Sequence, residues 1–179
     1  MKISELMRMS HVKRWGIVDT SRSQTIAEHS FNVTILATRL AHDIGWNGVL
    51  HPDRHLQVVY WALMHDSIEV FTGDTPTPYK ETLRGCGADL VKAEASYDRN
   101  YYEVAGTVRG TVAEMVVKLA DLIEAIHFLD NYGVGRHARE EVLPLLRRQL
   151  TDSVDRYSDS NPDLHIRKAV RAMCEELDV

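Results

Sequence analysis

The sequence predicts an all-α protein, a compact bundle of about six to seven helices in one domain that spans residues 1–179. Apolar residues recur at spacings of three and four along nearly the whole chain, whereas the alternation typical of β-strands is rare. The chain has only five prolines, and two of them fall in one short segment. With 179 residues, it is long enough to bury a core without disulfides.

Glycine and proline set the predicted helix boundaries. Gly45 and Gly73 follow helical patterns, and Pro52 precedes one. The segment 73–78 is excluded from regular structure, because each of its prolines lacks a backbone donor and restricts the residue before it. The predicted helices are 3–9, 24–44, 53–71, 88–105, 111–131, 136–157 and 162–177.

Composition excludes several classes of protein. The formal charge of −5 disfavours a general nucleic-acid-binding surface, which needs clustered Lys and Arg. No apolar run approaches the roughly 20 residues of a membrane span, and the first residues lack a signal-peptide core. The two cysteines, Cys86 and Cys174, form no metal or disulfide spacing. We therefore expect a cytoplasmic protein that binds neither nucleic acid nor membrane.

Three predicted helices carry a charged or titratable residue on their apolar stripe. His29 lies on the apolar stripe of helix 24–44, and Asp121 lies on the apolar stripe of helix 111–131. In helix 53–71 the residue on the stripe is Asp66, and His65 is next to it. Burying a lone carboxylate is costly, so each group needs compensation. Either each is satisfied separately by a neighbouring backbone or basic group, or one divalent cation satisfies two imidazoles and two carboxylates together.

These residues reproduce the H…HD…D signature of HD-domain metal phosphohydrolases. The surrounding blocks resemble the YfbR-type 5′-deoxynucleotidases, namely residues 13–18, 27–30, 65–70, 72–78 and 118–121. The same blocks are similar to a phage branch of that family, the dATP triphosphohydrolases of the DatZ type, which deplete dATP in phages. That branch has an Arg-Trp-x-Ile stretch and basic residues after the proline-rich segment, here Arg14, Trp15, Ile17, Lys80 and Arg84.

The resemblance implies a metal site and a proton carrier. His29, His65, Asp66 and Asp121 are the expected metal ligands, and this mixed donor set suits Mn, Co, Zn, Fe or Ni. Asp66 and Glu69 are the expected catalytic residues, with Glu69 handling the proton of the attacking water. The alternative for Glu69 is a surface glutamate paired to Lys or Arg. Family relatives are homo-oligomers, so we expect one here.

The resemblance also implies contacts to the substrate. We expect Lys80, Arg84 and Lys118 to bind phosphate, although each could be an ordinary surface cation. Arg14 and Trp15 are the candidates for the sugar and base, with Trp15 excluding a 2′-hydroxyl. The remaining expected contacts are Ile17 and Pro78 to the base and Asp74 to the 3′-hydroxyl. Trp15 could instead be a core residue and Asp74 a turn cap. Glu28 and Glu124 are expected either to orient other groups or to lie at the surface.

These observations leave competing functions. The favoured hypothesis is a hydrolase that converts dATP to deoxyadenosine and triphosphate or phosphates. The main alternative is a general 5′-deoxynucleotidase acting on deoxynucleoside monophosphates. An idle nucleotide-binding regulator is disfavoured by the intact ligand set, and cyclic-nucleotide or alarmone hydrolysis has no support in the proline-rich block.

Overall fold

A computed structural model describes residues 1–46 and 52–179, apart from the side chains of 99–102 and 104. The described chain is helical, which confirms the all-α prediction. Its helices are α1 (Ile3–Leu6), α2 (Ile26–Asp43), α3 (Pro52–Met64), α4 (Glu69–Thr72), α5 (Thr77–Gly85), α6 (Leu90–Tyr97), α7 (Arg99–Val108), α8 (Val112–Tyr132), α9 (Leu143–Ser160) and α10 (Ile166–Leu177). A 3-10 turn (Met7–Ser10) follows α1, and a π-helical turn (His137–Val142) precedes α9.

Helix α8 lies at the centre of the bundle. It packs against α2, α3 and α9, and 13 of its 21 residues are buried. Helix α10 closes the bundle with its apolar side, where Ile166, Val170 and Met173 join the main core. The apolar stripe of the last helix is therefore core rather than an interface. No helix in the described ranges is long and apolar enough to cross a membrane.

The prediction of one helix over 53–71 is wrong. Helix α3 ends at Met64, and residues 65–68 form a turn before α4 begins. The backbone tightens there, since the amides of Ser67, Glu69 and Val70 bond to carbonyls three residues back. Within α3, Val58 and Ala62 are buried and Leu63 is exposed.

Two further predicted boundaries differ from the structure. The predicted helix 88–105 is divided into α6 and α7 at Asp98, whose carboxylate lies 2.9 Å from the N-terminal ammonium. The predicted irregular segment ends at Pro76, and α5 begins at Thr77 with Pro78 in its first turn. Proline is tolerated there because the first helical amides have no intrahelical partner.

The segment between the 3-10 turn and α2 is held against the bundle by backbone hydrogen bonds. The amide of Arg14 donates to the carbonyl of Gln24, and that of Ile26 donates to the carbonyl of Val12. At the far end of this loop, the Ser21 amide donates to the carbonyl of Tyr132 in α8. The loop thus places Arg14 and Trp15 beside α8.

Candidate metal and nucleotide site

His29, His65 and Asp66 lie together at the junction of α2, α3 and α8. Each offers one ligand atom, and these atoms lie within 4.8 Å of one another. The Nε2 atom of His29 is 3.5 Å from Oδ2 of Asp66 and 3.4 Å from Oδ1 of Asp121. Three of the predicted ligands therefore form one cluster, and the fourth, Asp121, lies next to that cluster at His29.

Both imidazoles have their Nε2 atoms directed toward this cluster. Nδ1 of His29 contacts Oε2 of Glu124 at 2.6 Å, and Nδ1 of His65 contacts the carbonyl of Ala62 at 2.8 Å. Because a carbonyl or an ionised carboxylate only accepts, each Nδ1 must carry the proton. Each Nε2 atom then presents a lone pair, as a metal ligand requires. Nε2 of His29 is buried and makes no hydrogen bond within the described ranges, so the set fits a cation.

The two aspartates of the site, Asp66 and Asp121, have lowered pKa values and remain ionised. Burial alone would raise the pKa of Asp121, but the Lys118 ammonium and His29 hold that pKa well below its usual range. Burial opposes ionisation of Asp66 too, but the electrostatic influence of the neighbouring His65 and His29 side chains and of Arg14 keeps its pKa lowered. Nζ of Lys118 lies 2.9 Å from Oδ2 of Asp121, so this lysine is already paired at the metal side.

Glu69 is buried beneath the site rather than solvated. The residue is 4% exposed, and Oε1 accepts a hydrogen bond from Nζ of Lys80 at 3.0 Å. Its other oxygen, Oε2, is buried without a hydrogen-bond partner in the described part of the chain. Burial and the nearby charge of Asp66 raise the pKa of Glu69 to about 8, although Lys80 opposes the shift. Glu69 therefore has the properties of a proton carrier.

Trp15 has an unusual backbone conformation. Its φ of 67° lies in the left-handed region, which non-glycine residues seldom occupy. The conformation is held from three directions: the amide donates to Oδ2 of Asp74 at 2.8 Å, Nε1 donates to Gln24, and the ring stacks on Phe128. The guanidinium of Arg14 lies 5.2 Å from the centre of the Trp15 ring. Asp74 thus holds the backbone of Trp15 through Oδ2, and among the described residues its Oδ1 atom makes no hydrogen bond.

The other predicted substrate contacts are more exposed. Ile17 is 58% exposed, and Pro78 and Arg84 are exposed on α5. Burial raises the pKa of Glu94 in α6, and the nearby charges of Lys80 and Arg84 oppose that shift. Glu94 is an acidic neighbour of the proposed phosphate contacts that the sequence gave no reason to select.

Two further residues complete the site: Glu124, for which the sequence left two roles open, and Gln24, which the sequence did not indicate. Glu124 is 2% exposed and accepts hydrogen bonds from His29, Gln24 and Asn32, so it orients His29. Glu28, the other residue considered for that task, instead pairs with Arg22. The available signal for Glu124 was its position three residues after Asp121 on one helix. Nothing in the sequence pattern distinguishes Gln24.

Comparison with known proteins gives a consistent result. The model of the YfbR-like 5′-deoxynucleotidases matches residues 3–104. A dATP triphosphohydrolase of Salmonella phage PMBT28 is 37% identical over 147 residues, covering 80% of this chain and 74% of the phage protein. A 5′-deoxynucleotidase of Vibrio cholerae is 33% identical over 103 residues, covering 56% of this chain and 52% of that protein.

A solved structure extends the likeness to the whole fold. The HD phosphohydrolase DatZ of cyanophage S-2L, bound to dA and one catalytic Zn²⁺ ion, matches with a TM-score of 0.80 and 30% identity. The match covers 98% of this chain and 95% of that one. The fold, the convergent ligand set and these matches lead to one assignment. The chain belongs to the YfbR-like 5′-deoxynucleotidase family and is an HD-domain phosphohydrolase.

Proposed function

We propose that this protein hydrolyses 2′-deoxynucleotides, with dATP as its main substrate and deoxyadenosine and triphosphate or phosphates as products. The observation that carries the proposal is the convergence of two inward-facing imidazoles and two ionised carboxylates next to a buried glutamate. The phage relative supports dATP, since it is 37% identical over 80% of this chain, whereas a 5′-deoxynucleotidase of Vibrio atlanticus that covers 89% of this chain is 27% identical.

A divalent first-row metal is the proposed cofactor, held by His29, His65, Asp66 and Asp121. The donor set of nitrogen and carboxylate oxygen suits Mn, Co, Zn, Fe or Ni, and the S-2L relative holds zinc. When bound, the metal supplies Lewis-acid charge to a phosphoryl oxygen and makes water at the site more acidic. Glu124 keeps the proton of His29 on Nδ1, so that Nε2 stays available.

Glu69 is the proposed proton carrier. Its Oε2 atom is buried without a partner, and Lys80 fixes the other oxygen of the same carboxyl group. We expect Oε2 to take the proton of the attacking water and to return it to the leaving oxygen.

Phosphate groups would share the cations of the site with its carboxylates. Lys118 and Lys80 are paired to Asp121 and Glu69, so they lie at the reacting end of the substrate. Arg84, one turn after Lys80 on α5, is the contact that suits a longer phosphate chain. A net acidic chain can therefore bind an anionic nucleotide, because its local charge at this place is set by the metal and these cations.

The sugar and base are assigned to the loop residues. Trp15 is the wall against C2′, with Arg14 beside it, and Oδ1 of Asp74 is the acceptor for the 3′-hydroxyl. Ile17 and Pro78, which are both exposed, are the proposed contacts to the base. Rejection of ATP would follow from the missing space for a 2′-hydroxyl and from its lack of a hydrogen-bond partner.

A substrate panel tests the proposal against the general nucleotidase. The purified protein is incubated with each dNTP, each dNMP and ATP in the presence of Mn²⁺, Co²⁺ or Zn²⁺, and the products are separated by chromatography. We expect dATP to give deoxyadenosine faster than any dNMP does. Turnover of every dNMP with none of dATP would establish the alternative, which the Vibrio relative favours.

A homo-oligomer is the proposed assembly, formed through an exposed apolar face of α2 and α3. These helices pack together, and five large apolar residues on them are 41% to 63% exposed: Phe31, Ile35, Leu56, Tyr60 and Leu63. On each helix these residues recur at spacings of three and four, so they share a face, and an exposed apolar face is a candidate interaction surface. We expect light scattering to give more than the monomer mass, and Tyr60→Glu to reduce it. A monomeric wild type contradicts the proposal.

A further inference from the structure

A chain of hydrogen bonds joins the proposed sugar wall to the proposed metal ligand. Nε1 of Trp15 donates to Oε1 of Gln24 at 2.9 Å, and Nε2 of Gln24 donates to Oε1 of Glu124 at 2.6 Å. Oε2 of Glu124 accepts from Nδ1 of His29 at 2.6 Å. Gln24 and His29 are fully buried and Glu124 is nearly so, so that water does not compete for these bonds.

The chemistry at the two ends dictates the residue in the middle. An indole N–H only donates and an ionised carboxylate only accepts, so the residue between them must accept on one side and donate on the other. The amide of Gln24 does both in one orientation. A glutamate there would face Glu124 with a second carboxyl group, and an apolar residue would leave two buried polar groups unpaired.

Trp15 needs a constraint of this kind. Its ring is parallel to that of Phe128 within 3°, with 5.9 Å between the ring centres. Such a stack opposes tilting of the ring but leaves it free to slide within its plane. The bond from the Trp15 amide to Asp74 fixes the main chain only. The bond to Gln24 therefore sets the position of the ring along the stack.

From this arrangement we propose that Gln24 is a positioning residue for deoxyribose selection. The inference rests on the proposed function. Through Glu124, Gln24 fixes the position of the Trp15 ring relative to His29. The distance between the sugar wall and the metal is then set by buried bonds within the protein. Exclusion of a 2′-hydroxyl is steric, and a ring displaced by a fraction of an ångström admits it.

Gln24→Met tests the proposal, because methionine has a similar shape and neither donates nor accepts as an amide does. The measurement is kcat/KM for dATP and for ATP with Mn²⁺ as the metal. We expect the ratio of the two values to fall at least fivefold, mainly through faster ATP turnover. An unchanged ratio in a folded Gln24→Met protein overturns the inference.

Asn32→Ala is the matched control. Nδ2 of Asn32 donates to Oε1 of Glu124 at 3.1 Å, as Gln24 does, but its described hydrogen bonds do not reach Trp15. This variant therefore loosens Glu124 without releasing the ring. We expect its dATP to ATP ratio to stay within about twofold of wild type. An equal fall in both variants would assign the effect to Glu124 alone and overturn the role of Gln24.

A second readout does not depend on turnover. The protein has three tryptophans, so its ¹H–¹⁵N NMR spectrum should contain three indole N–H signals. The signal that is lost in Trp15→Phe belongs to Trp15. We expect this signal to move upfield and to exchange faster with water in Gln24→Met. A signal that keeps its position and its exchange rate shows that the bond does not hold the ring, against the proposal.

Trp15→Phe also covers the case in which Gln24→Met does not fold, since Trp15 is only half-buried and phenylalanine keeps a stacking ring. It should lower the dATP to ATP ratio by a similar factor.

When both variants fold, their losses in the double variant should not add, because they break the same bond. Additive losses contradict the inference. A wild type that turns over no deoxynucleotide overturns the proposed function itself, whereas an active enzyme with an unchanged ratio in the variants overturns only the role of Gln24.

Discussion

Helices α8 and α5 supply the two halves of the same site in different ways. Helix α8 buries 13 of its 21 residues, whereas α5 has no buried residue among its nine. Asp121 on α8 is therefore positioned by the core, while Lys80 on α5 is positioned mainly by its bond to Glu69. The metal half of the site, which includes Asp121, is therefore arranged when the core folds. The phosphate half, which includes Lys80 and Arg84, depends on a few polar contacts that a substrate can rearrange.

The largest expected effect on activity concerns the metal half of the site. Asp66→Ala should abolish metal binding and lower turnover by about a thousandfold or more, because it removes a ligand from a site that the core has already arranged. Isothermal titration with Mn²⁺ measures the binding, and circular dichroism checks that the helices remain. Loss of metal with unchanged turnover would instead favour an idle metal site.

The next effect concerns Glu69, which joins the two halves. Glu69→Gln should lower kcat by about 10²- to 10⁴-fold with a smaller change in KM, because the amide cannot carry the proton. Steady-state kinetics with dATP measures both values. A variant in which KM rises while kcat is unchanged would make Glu69 a binding residue that holds Lys80.

Glu69 also predicts a pH dependence of stability in the metal-free protein. Its folded-state pKa of about 8 lies above its unfolded value, so its contribution is fully present at low pH. That contribution is lost as the pH rises from near 4.5 through 8. Denaturant titrations should show wild type losing stability relative to Glu69→Gln across this window. Parallel curves for the two proteins would mean that the pKa of Glu69 is not raised.

A smaller effect is expected for the sugar wall. Trp15→Ala should reduce the preference for dATP over ATP by about tenfold or more, because the ring fills the space of a 2′-hydroxyl. The ratio of kcat/KM values measures the preference. An unchanged ratio would remove Trp15 from the sugar pocket.

The smallest expected effect on activity concerns the phosphate half of the site. Arg84→Ala should lower kcat/KM for dATP about fivefold to tenfold and leave dAMP nearly unchanged, because an exposed arginine reaches only the outer phosphates. Lys92→Ala, an exposed cation of α6, serves as the control. Equal losses for dATP and dAMP would mean that Arg84 does not contact those phosphates.

The sequence predicted the fold class through its apolar periodicity. The polar residues on apolar stripes left separate compensation of each charge open, and it was the resemblance to HD-domain phosphohydrolases that implied one shared set of four ligands. The sequence did not predict the end of α3 at Met64, since apolar periodicity carries no information on a turn tightened by local hydrogen bonds. Glu124 was ambiguous because a glutamate one turn from an aspartate is also common on surfaces. Gln24 lies just before the N-cap of α2, where side chains follow no pattern.

The bond from His65 to the carbonyl of Ala62 has a consequence for affinity. The imidazole is tied to the last turn of α3, so its rotational freedom is lost when the chain folds rather than when a cation arrives. His29 is restrained in the same way by Glu124. Much of the entropic cost of arranging the ligands is therefore met during folding, which leaves more of the coordination energy to appear as binding.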